Sequence, residues 1–346
     1  MPADKLIGSV ICDRFEIVDK LGQGGMGSVY RAFQRSVKRE VAIKLINASF
    51  SRDRNAVRRF EREARLASQL SHPNTVSVFD FGQTEDGQMF IAMELIKGRT
   101  LLELLEQDRV FSTARAVRMG SQICDALEAA HTLGIIHRDL KLDNVIVLDH
   151  PPGRDLLKVL DFGLAKMFGE HSSGSASTPG VVGVPRYIAP EVATSGVTEP
   201  AADIYALGVM LGELTSGGPL WSTERLSELI PQKLAPAPAI ALVPAELRRV
   251  VAALIDPDPS HRPNASQART LLRNVADGSL TFPPIDLRAT VQAPSAETAG
   301  RRRRRGRARW PWILLGGLLI AAAVVGLLLV TGLVDAGELE RLVRGQ

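Results

Sequence analysis

The sequence predicts an α+β chain in two lobes, a small β-rich N-terminal lobe with one main helix and a larger helical lobe, followed by one C-terminal transmembrane helix. Three observations predict it. Residues 14–46 alternate apolar and polar side chains in short runs broken by Gly-rich and charged turns, the pattern of an antiparallel meander. From Leu101 to Gly134, and again beyond Asp203, apolar residues recur at helical spacing. Trp310 to Val334 is a run of 25 residues without a charge, longer than the roughly 20 needed to cross ~30 Å of hydrocarbon.

Composition narrows the class. Of 346 residues, 45% are hydrophobic and 23% charged, which excludes global disorder and provides for a large core. The net charge of +4 is a local property: seven arginines lie between Arg301 and Arg309, and without them 35 basic residues stand against 38 acidic. A nucleic-acid-binding domain would spread its basic residues over a folded face, so nucleic acid is not an expected partner. Cys12 and Cys124 are far apart and lack CxxC spacing, which argues against a disulfide framework or a zinc site. Cys124 falls in an apolar helical pattern and reads as a small core residue. Met1 to Ser9 contains Asp4 and Lys5 and has no apolar stretch of signal-peptide type.

In chain order, the first strands read as Phe15–Val18, Ser28–Ala32 and Val41–Leu45. Between the first two lies Leu21-Gly22-Gln23-Gly24-Gly25-Met26-Gly27-Ser28-Val29, a G-x-G-x-x-G with one additional glycine. Glycines let backbone approach phosphates closely. A dinucleotide-binding fold uses the same spacing but continues into a helix and an acidic residue. Here a strand follows, with Lys44 22 residues past the first glycine, in Val41-Ala42-Ile43-Lys44. Residues 54–70 form an amphipathic helix with Val57, Phe60, Ala64, Ala67 and Leu70 on one face. Of its glutamates, Glu63 is the one able to turn inward to Lys44, and Glu61 reads as exposed. Strands over Thr75–Phe81 and Met89–Leu95 complete a five-stranded lobe. Glu94 and Ile96 then offer backbone groups in a connecting segment suited to reading an adenine edge. Helices follow, and His131 within them reads as a packing residue.

The next stretch carries the chemistry. His137-Arg138-Asp139-Leu140-Lys141-Leu142-Asp143-Asn144 is followed, after a hairpin-like insert, by Asp161-Phe162-Gly163. It assembles an acceptor for a hydroxyl proton, a cation and two oxygen ligands, the set that phosphoryl transfer from a nucleotide requires. Downstream come Ala189-Pro190-Glu191, an apolar helix opening at Asp203, a Pro/Ala-rich surface loop over Pro231–Pro244, and closing helices over Ala245–Ile255 and Ala265–Asp277.

In the order Gly-rich loop, V-A-I-K, H-R-D, D-F-G and A-P-E, residues 14–275 resemble a eukaryotic-type protein kinase catalytic domain, most closely of the bacterial membrane Ser/Thr kinase type. The resemblance implies ATP as phosphoryl donor, held by residues 21–29, Lys44, Glu63 and the backbone of Glu94 and Ile96. It implies Asp139 as catalytic base, Lys141 as a cation beside the transferred phosphoryl, and Asn144 and Asp161 as ligands to Mg2+, with Mn2+ an alternative. Protein substrates bearing Ser or Thr follow, as do a buried Glu191–Arg262 ion pair and a phosphate on the activation segment, best matched by Thr178, that pairs with Arg138. The chain departs from the family at Val184, where a threonine normally bonds the catalytic Asp and Lys. That departure gives the alternative expectation of a weakly active or inactive nucleotide-binding scaffold. A small-molecule kinase of related fold is disfavoured by the A-P-E segment, which organises a peptide platform.

Residues 276–309 read as a flexible linker ending in the arginine run. Arg301–Arg309 abut the span, where positive charge stays cytoplasmic and attracts anionic lipid, and Trp310 and Trp312 suit the interface. The expectation is a single-pass cell-membrane protein with residues 310–334 spanning, the catalytic domain cytoplasmic and residues 335–346 a short outer tail. Gly317, Ala321, Ala322 and Gly326 provide small-residue spacing for helix pairing as a homodimer.

Overall fold

The computed structural model describes residues 4–278 apart from 53, 150–154, 164–184, 224 and 236. The predicted linker and span lie outside the described residues, as do Thr178 and Val184. Among the described residues no helix is long and apolar enough to cross a membrane.

The N-terminal lobe is one antiparallel sheet with the order β1-β2-β3-β4-β6-β5: β1 (Val10–Ile11), β2 (Phe15–Gly24), β3 (Gly27–Gln34), β4 (Arg39–Ile46), β5 (Val78–Gln83) and β6 (Met89–Glu94). The expected five strands become six because the two-residue β1, too short to carry an alternation, pairs Val10 with Glu16 and Ile11 with Phe15. Phe15, Ile17, Tyr30, Ile43 and Phe90 fill one face of the sheet, as the period-2 spacing of a pleated strand requires. The other face packs Ala42, Ile46, Ile91 and Met93 with Phe60 of helix α1 (Arg54–Ala67). That helix buries Ala56, Phe60, Ala64 and Ala67, close to the predicted stripe. It stops three residues short of Leu70, which is nonetheless buried at 4% exposure.

The second lobe is helical. α2 (Leu101–Asp108) opens with a capping box between Thr100 and Glu103, and α3 (Thr113–Thr132) is capped by Ser112. After them the insert forms β8 (Val145–Leu148) and β9 (Leu157–Val159), joined by β7 (Gly98–Thr100) into a three-stranded sheet. α4 (Pro190–Ser195) and α5 (Pro200–Ser216) each begin with a proline, tolerated there because the first helical N–H has no partner to lose. α5 is buried along 14 of its 17 residues, and Leu207, Leu211 and Leu214 join the main core with Ile123 and Leu127 of α3.

The Pro/Ala-rich piece is not the surface loop its composition predicts. It contains the end of α6 (Leu226–Lys233) and a 3-10 turn over Pro238–Leu242, and it buries Lys233, Ala237 and Val243. Pro231 is accommodated in the last turn, two residues before the helix ends. α7 (Ala245–Leu254) and α8 (Ala265–Ala276) close the lobe, each starting where predicted and ending one residue earlier, α8 with an Asn264/Gln267 capping box.

Candidate active site

The Gly-rich stretch is the β2–β3 hairpin. Gly22 pairs with Val29, Gln23 with Ser28 and Gly24 with Gly27, leaving Gly25 and Met26 as the turn. Leu21 to Gly25 are exposed, and a side chain at Gly22, Gly24 or Gly25 would meet nothing within 4 Å, so main chain faces open space there. Gly27 is the position that demands glycine. Its φ is +158° and a Cβ would lie 2.0 Å from the Leu45 carbonyl oxygen.

Lys44 stands on β4 beneath that hairpin, opposite Val29 and Ile91, with 9% exposure. Its Nζ lies 2.7 Å from Asp161 Oδ2. This corrects the expected pairing with Glu63, since no ion pair joins Lys44 to Glu63 among the described residues. Glu63 is half-buried on α1, with Oε2 3.8 Å from where a Cβ on Gly163 would lie. Its charge acts on Arg138 instead. Lys44 pairs with Asp161, while the desolvated Arg138 lies in the field of Glu63 and Asp203. Burial lowers the Arg138 pKa, with Glu63 and Asp203 acting in opposition. For Asp161, burial pushes the carboxyl up, but Lys44, His137 and Lys141 outweigh it and hold the pKa below the usual carboxylate value.

The catalytic loop is pinned from below by a residue that sequence reasoning passed over. Asp203, 1% exposed in the first turn of α5, accepts the backbone N–H groups of His137 at 2.8 Å and Arg138 at 2.9 Å, and its Oδ2 lies 2.8 Å from His131 Nε2. Burial would raise its pKa, and the hydrogen bond and charge of His131, helped by His137, lower it. The clue was present as a carboxylate in the first turn of an apolar helix, which must be paired if buried. Arg138 takes a φ of +69° and Asp161 one of +58°, conformations that cost a non-glycine residue energy and persist only where the surroundings hold them. His137, fully buried, supports both ends: its Nε2 lies 2.7 Å from the Leu160 carbonyl and its Nδ1 accepts the Asp139 N–H at 3.3 Å. Its ring meets Phe162 edge-on at 4.8 Å.

Above this support the predicted residues converge. Lys141 Nζ lies 3.3 Å from Asp139 Oδ2. Asn144 Nδ2 donates to the Asp139 carbonyl at 2.7 Å and to its Oδ2 at 3.2 Å, and among the described residues no donor occupies the amide oxygen of Asn144, which can serve as a ligand. A small cleft beside Asp139 lies between Arg138 and Leu140 of the catalytic loop, Tyr187 and Ile188, and Asp203 and Ala206 of α5. Glu94 ends β6 with its side chain held by Lys158 at 2.9 Å, leaving recognition there to main chain. Ile96 follows in the connecting segment. The Glu191–Arg262 pair forms as expected, through two bonds of 2.7 and 2.8 Å.

The protein kinase domain family matches residues 15–271. The chain belongs to the protein kinase family. It is similar to the serine/threonine-protein kinase pkn3 of Myxococcus xanthus, at 37% identity over 77% of this chain and 50% of that protein. It is also similar to the serine/threonine-protein kinase PrkC of Bacillus subtilis, at 31% identity over 94% of this chain and 54% of that protein. The chain thus spans between about a third and about a half of the length of the curated relatives it matches. Among solved structures, the PknI kinase domain of Mycobacterium tuberculosis superposes with a TM-score of 0.61 at 25% identity, covering 78% of this chain and 98% of that one. The bilobal kinase fold is therefore established.

The residues fit the nucleotide and metal that the family uses. Open main chain at Gly22, Gly24 and Gly25 suits phosphate approach. Among the described residues no cluster of three or more His, Cys, Asp or Glu could hold a metal by itself. Asn144 and Asp161 supply oxygen donors that a hard divalent cation would complete with phosphate and water oxygens.

Proposed function

We propose that this chain is an ATP- and magnesium-dependent protein serine/threonine kinase anchored to a membrane by Trp310–Val334. The observation that carries the reading is the placement of Asp139: it is bonded to Lys141 and Asn144 and opens on the cleft bounded by Tyr187, Ile188 and Ala189.

In this mechanism the β2–β3 hairpin and Lys44 hold the phosphates, and the backbone of Glu94 and Ile96 holds the adenine. Asn144 and Asp161 hold the divalent cation, which when bound neutralises phosphate charge. Asp139 orients a Ser or Thr hydroxyl and takes its proton as the hydroxyl oxygen bonds to the γ-phosphorus and the bond from that phosphorus to the bridging oxygen breaks, releasing ADP. Lys141 offsets the charge on the moving phosphoryl. Positioning and fixed charge supply most of such a catalysis. Arg138, desolvated and near the activation segment, is the cation that a phosphate added there would pair with, which makes autophosphorylation part of the reading.

The arginine run and the tryptophans at 310 and 312 support a cytoplasmic catalytic domain, with contacts to anionic lipid. The test is to incubate the chain with γ-labelled ATP and Mg2+, identify the labelled amino acids, and sediment membranes after a carbonate wash. Label on Ser or Thr in a wash-resistant membrane fraction supports the proposal. Label confined to free phosphate, or a chain released by carbonate, would remove the corresponding half of it.

A further inference from the structure

Lys233 is 2% exposed at the end of α6, a costly place for an ammonium. Among the described residues no carboxylate lies within ion-pair distance of it. Its three N–H groups are instead spent on main-chain carbonyls, those of Pro185 at 3.1 Å, Arg186 at 2.8 Å and Ile188 at 2.5 Å. The side chain is flanked by aromatic rings, with Nζ 5.0 Å from the Tyr205 centroid and 5.2 Å from that of Trp221. An ammonium has three donors and can satisfy three carbonyls at once, and each ring face attracts its charge.

The carbonyls belong to the last residues of the activation segment, just before Ala189-Pro190-Glu191. The next side chains, Tyr187, Ile188 and Ala189, line the cleft into which Asp139 opens. The clamp therefore fixes the wall facing the base, and it touches neither the Gly-rich hairpin nor Lys44.

We propose that Lys233 is a positioning residue for protein substrate, holding the main chain of residues 185–188 in the shape on which a peptide docks beside Asp139. This rests on the kinase reading above. Burial brings the Lys233 pKa down to about 7, with Glu191 and Glu213 opposing the shift and Arg262 adding to it. The charged and titratable groups facing it are Tyr205 and Glu213 of α5, Glu191 of α4, Arg262 before α8, and Arg186 and Tyr187 of the clamped turn. Above that pH the neutral amine keeps two donors and loses its charge, so the clamp weakens as pH rises through about 7.

The experiment compares the wild-type chain with Lys233→Met, measuring KM for ATP and KM for myelin basic protein between about pH 6 and about pH 8.5, either side of the Lys233 transition. The expected result is a protein-substrate KM that rises with pH in the wild type. In the variant it is about tenfold higher at the acid end, the worth of one charged hydrogen bond, and flat across the range, with KM for ATP unchanged in both. Transfer by both proteins with the same protein-substrate KM and the same pH profile would overturn this inference alone. A variant that loses ATP affinity in step would overturn it in favour of a general structural role. Absence of transfer by the wild type would overturn the kinase reading and this inference together.

Discussion

Glu191→Ala should destabilise the chain by an amount that the geometry bounds. Glu191 meets Arg262 through two bonds of 2.7 and 2.8 Å, and the Arg262 side chain is 0% exposed. Removing one partner of a buried pair costs about 3–5 kcal/mol because the other charge is stranded. Two features place this case at the lower end. Glu191 keeps 21% of its side chain exposed, and Arg262 retains bonds to the carbonyls of Asp256 at 2.7 Å, Ala201 at 3.0 Å and Pro257 at 3.3 Å. A loss of about 3 kcal/mol corresponds to a fall in Tm of about 6–12 °C for a domain of this size. Thermal unfolding followed by circular dichroism measures it, in a cycle with Arg262→Met and the double variant. The double variant should lose less than the sum of the singles, since it strands no charge. A fall in Tm below about 2 °C, or singles that add to within about 0.5 kcal/mol, would refute the reasoning.

Three further outcomes are expected. Asp203→Asn keeps the shape and removes the charge that holds His137, Arg138 and His131, so it should lower kcat at neutral pH. The native Asp203 pKa lies below its unfolded value, so its stabilisation is complete above about pH 4 and is lost as pH falls through the lowered native pKa. The stability gap between wild type and variant should close on acidification, and a gap independent of pH would contradict this. Burial pushes the Cys124 thiol up, so mass spectrometry after brief treatment of the native chain with a thiol reagent should find Cys12 modified and Cys124 untouched. Val184→Thr should raise kcat, by up to about a hundredfold if it restores a full charged hydrogen bond, and an unchanged rate would show that the missing hydroxyl does not limit turnover.

The strands of the first lobe were legible because their alternation is written at period 2 and punctuated by glycine, and α1 because Phe60, Ala64 and Ala67 recur at helical spacing. The catalytic loop was legible as an ordered set of residue types, and the structure does bring Asp139, Lys141 and Asn144 within bonding distance. What escaped depends on contacts between distant segments. The 158 residues between Lys44 and Asp203 give no local sign that one binds Asp161 while the other carries the loop holding Asp139. Glu63 was assigned to Lys44 as the inward-facing glutamate of α1, and it does face inward, but its carboxylate lies by Gly163 and its charge acts on Arg138. Lys233 was hidden by its neighbours: Pro/Ala composition reads as loop, and the groups that make a buried ammonium tolerable there, the carbonyls of Pro185, Arg186 and Ile188 and the rings of Tyr205 and Trp221, come from distant segments.

The central claim is that Asp139 serves as the base in phosphoryl transfer, and one comparison addresses it most directly. Asp139→Asn preserves size and can still bond Lys141 and Asn144, but it cannot accept the hydroxyl proton. Rates of transfer from γ-labelled ATP, measured for both proteins at matched ATP saturation, should differ by about a hundredfold or more, the range of a positioned general base, with ATP affinity and Tm preserved. Equal rates would contradict the account at its foundation.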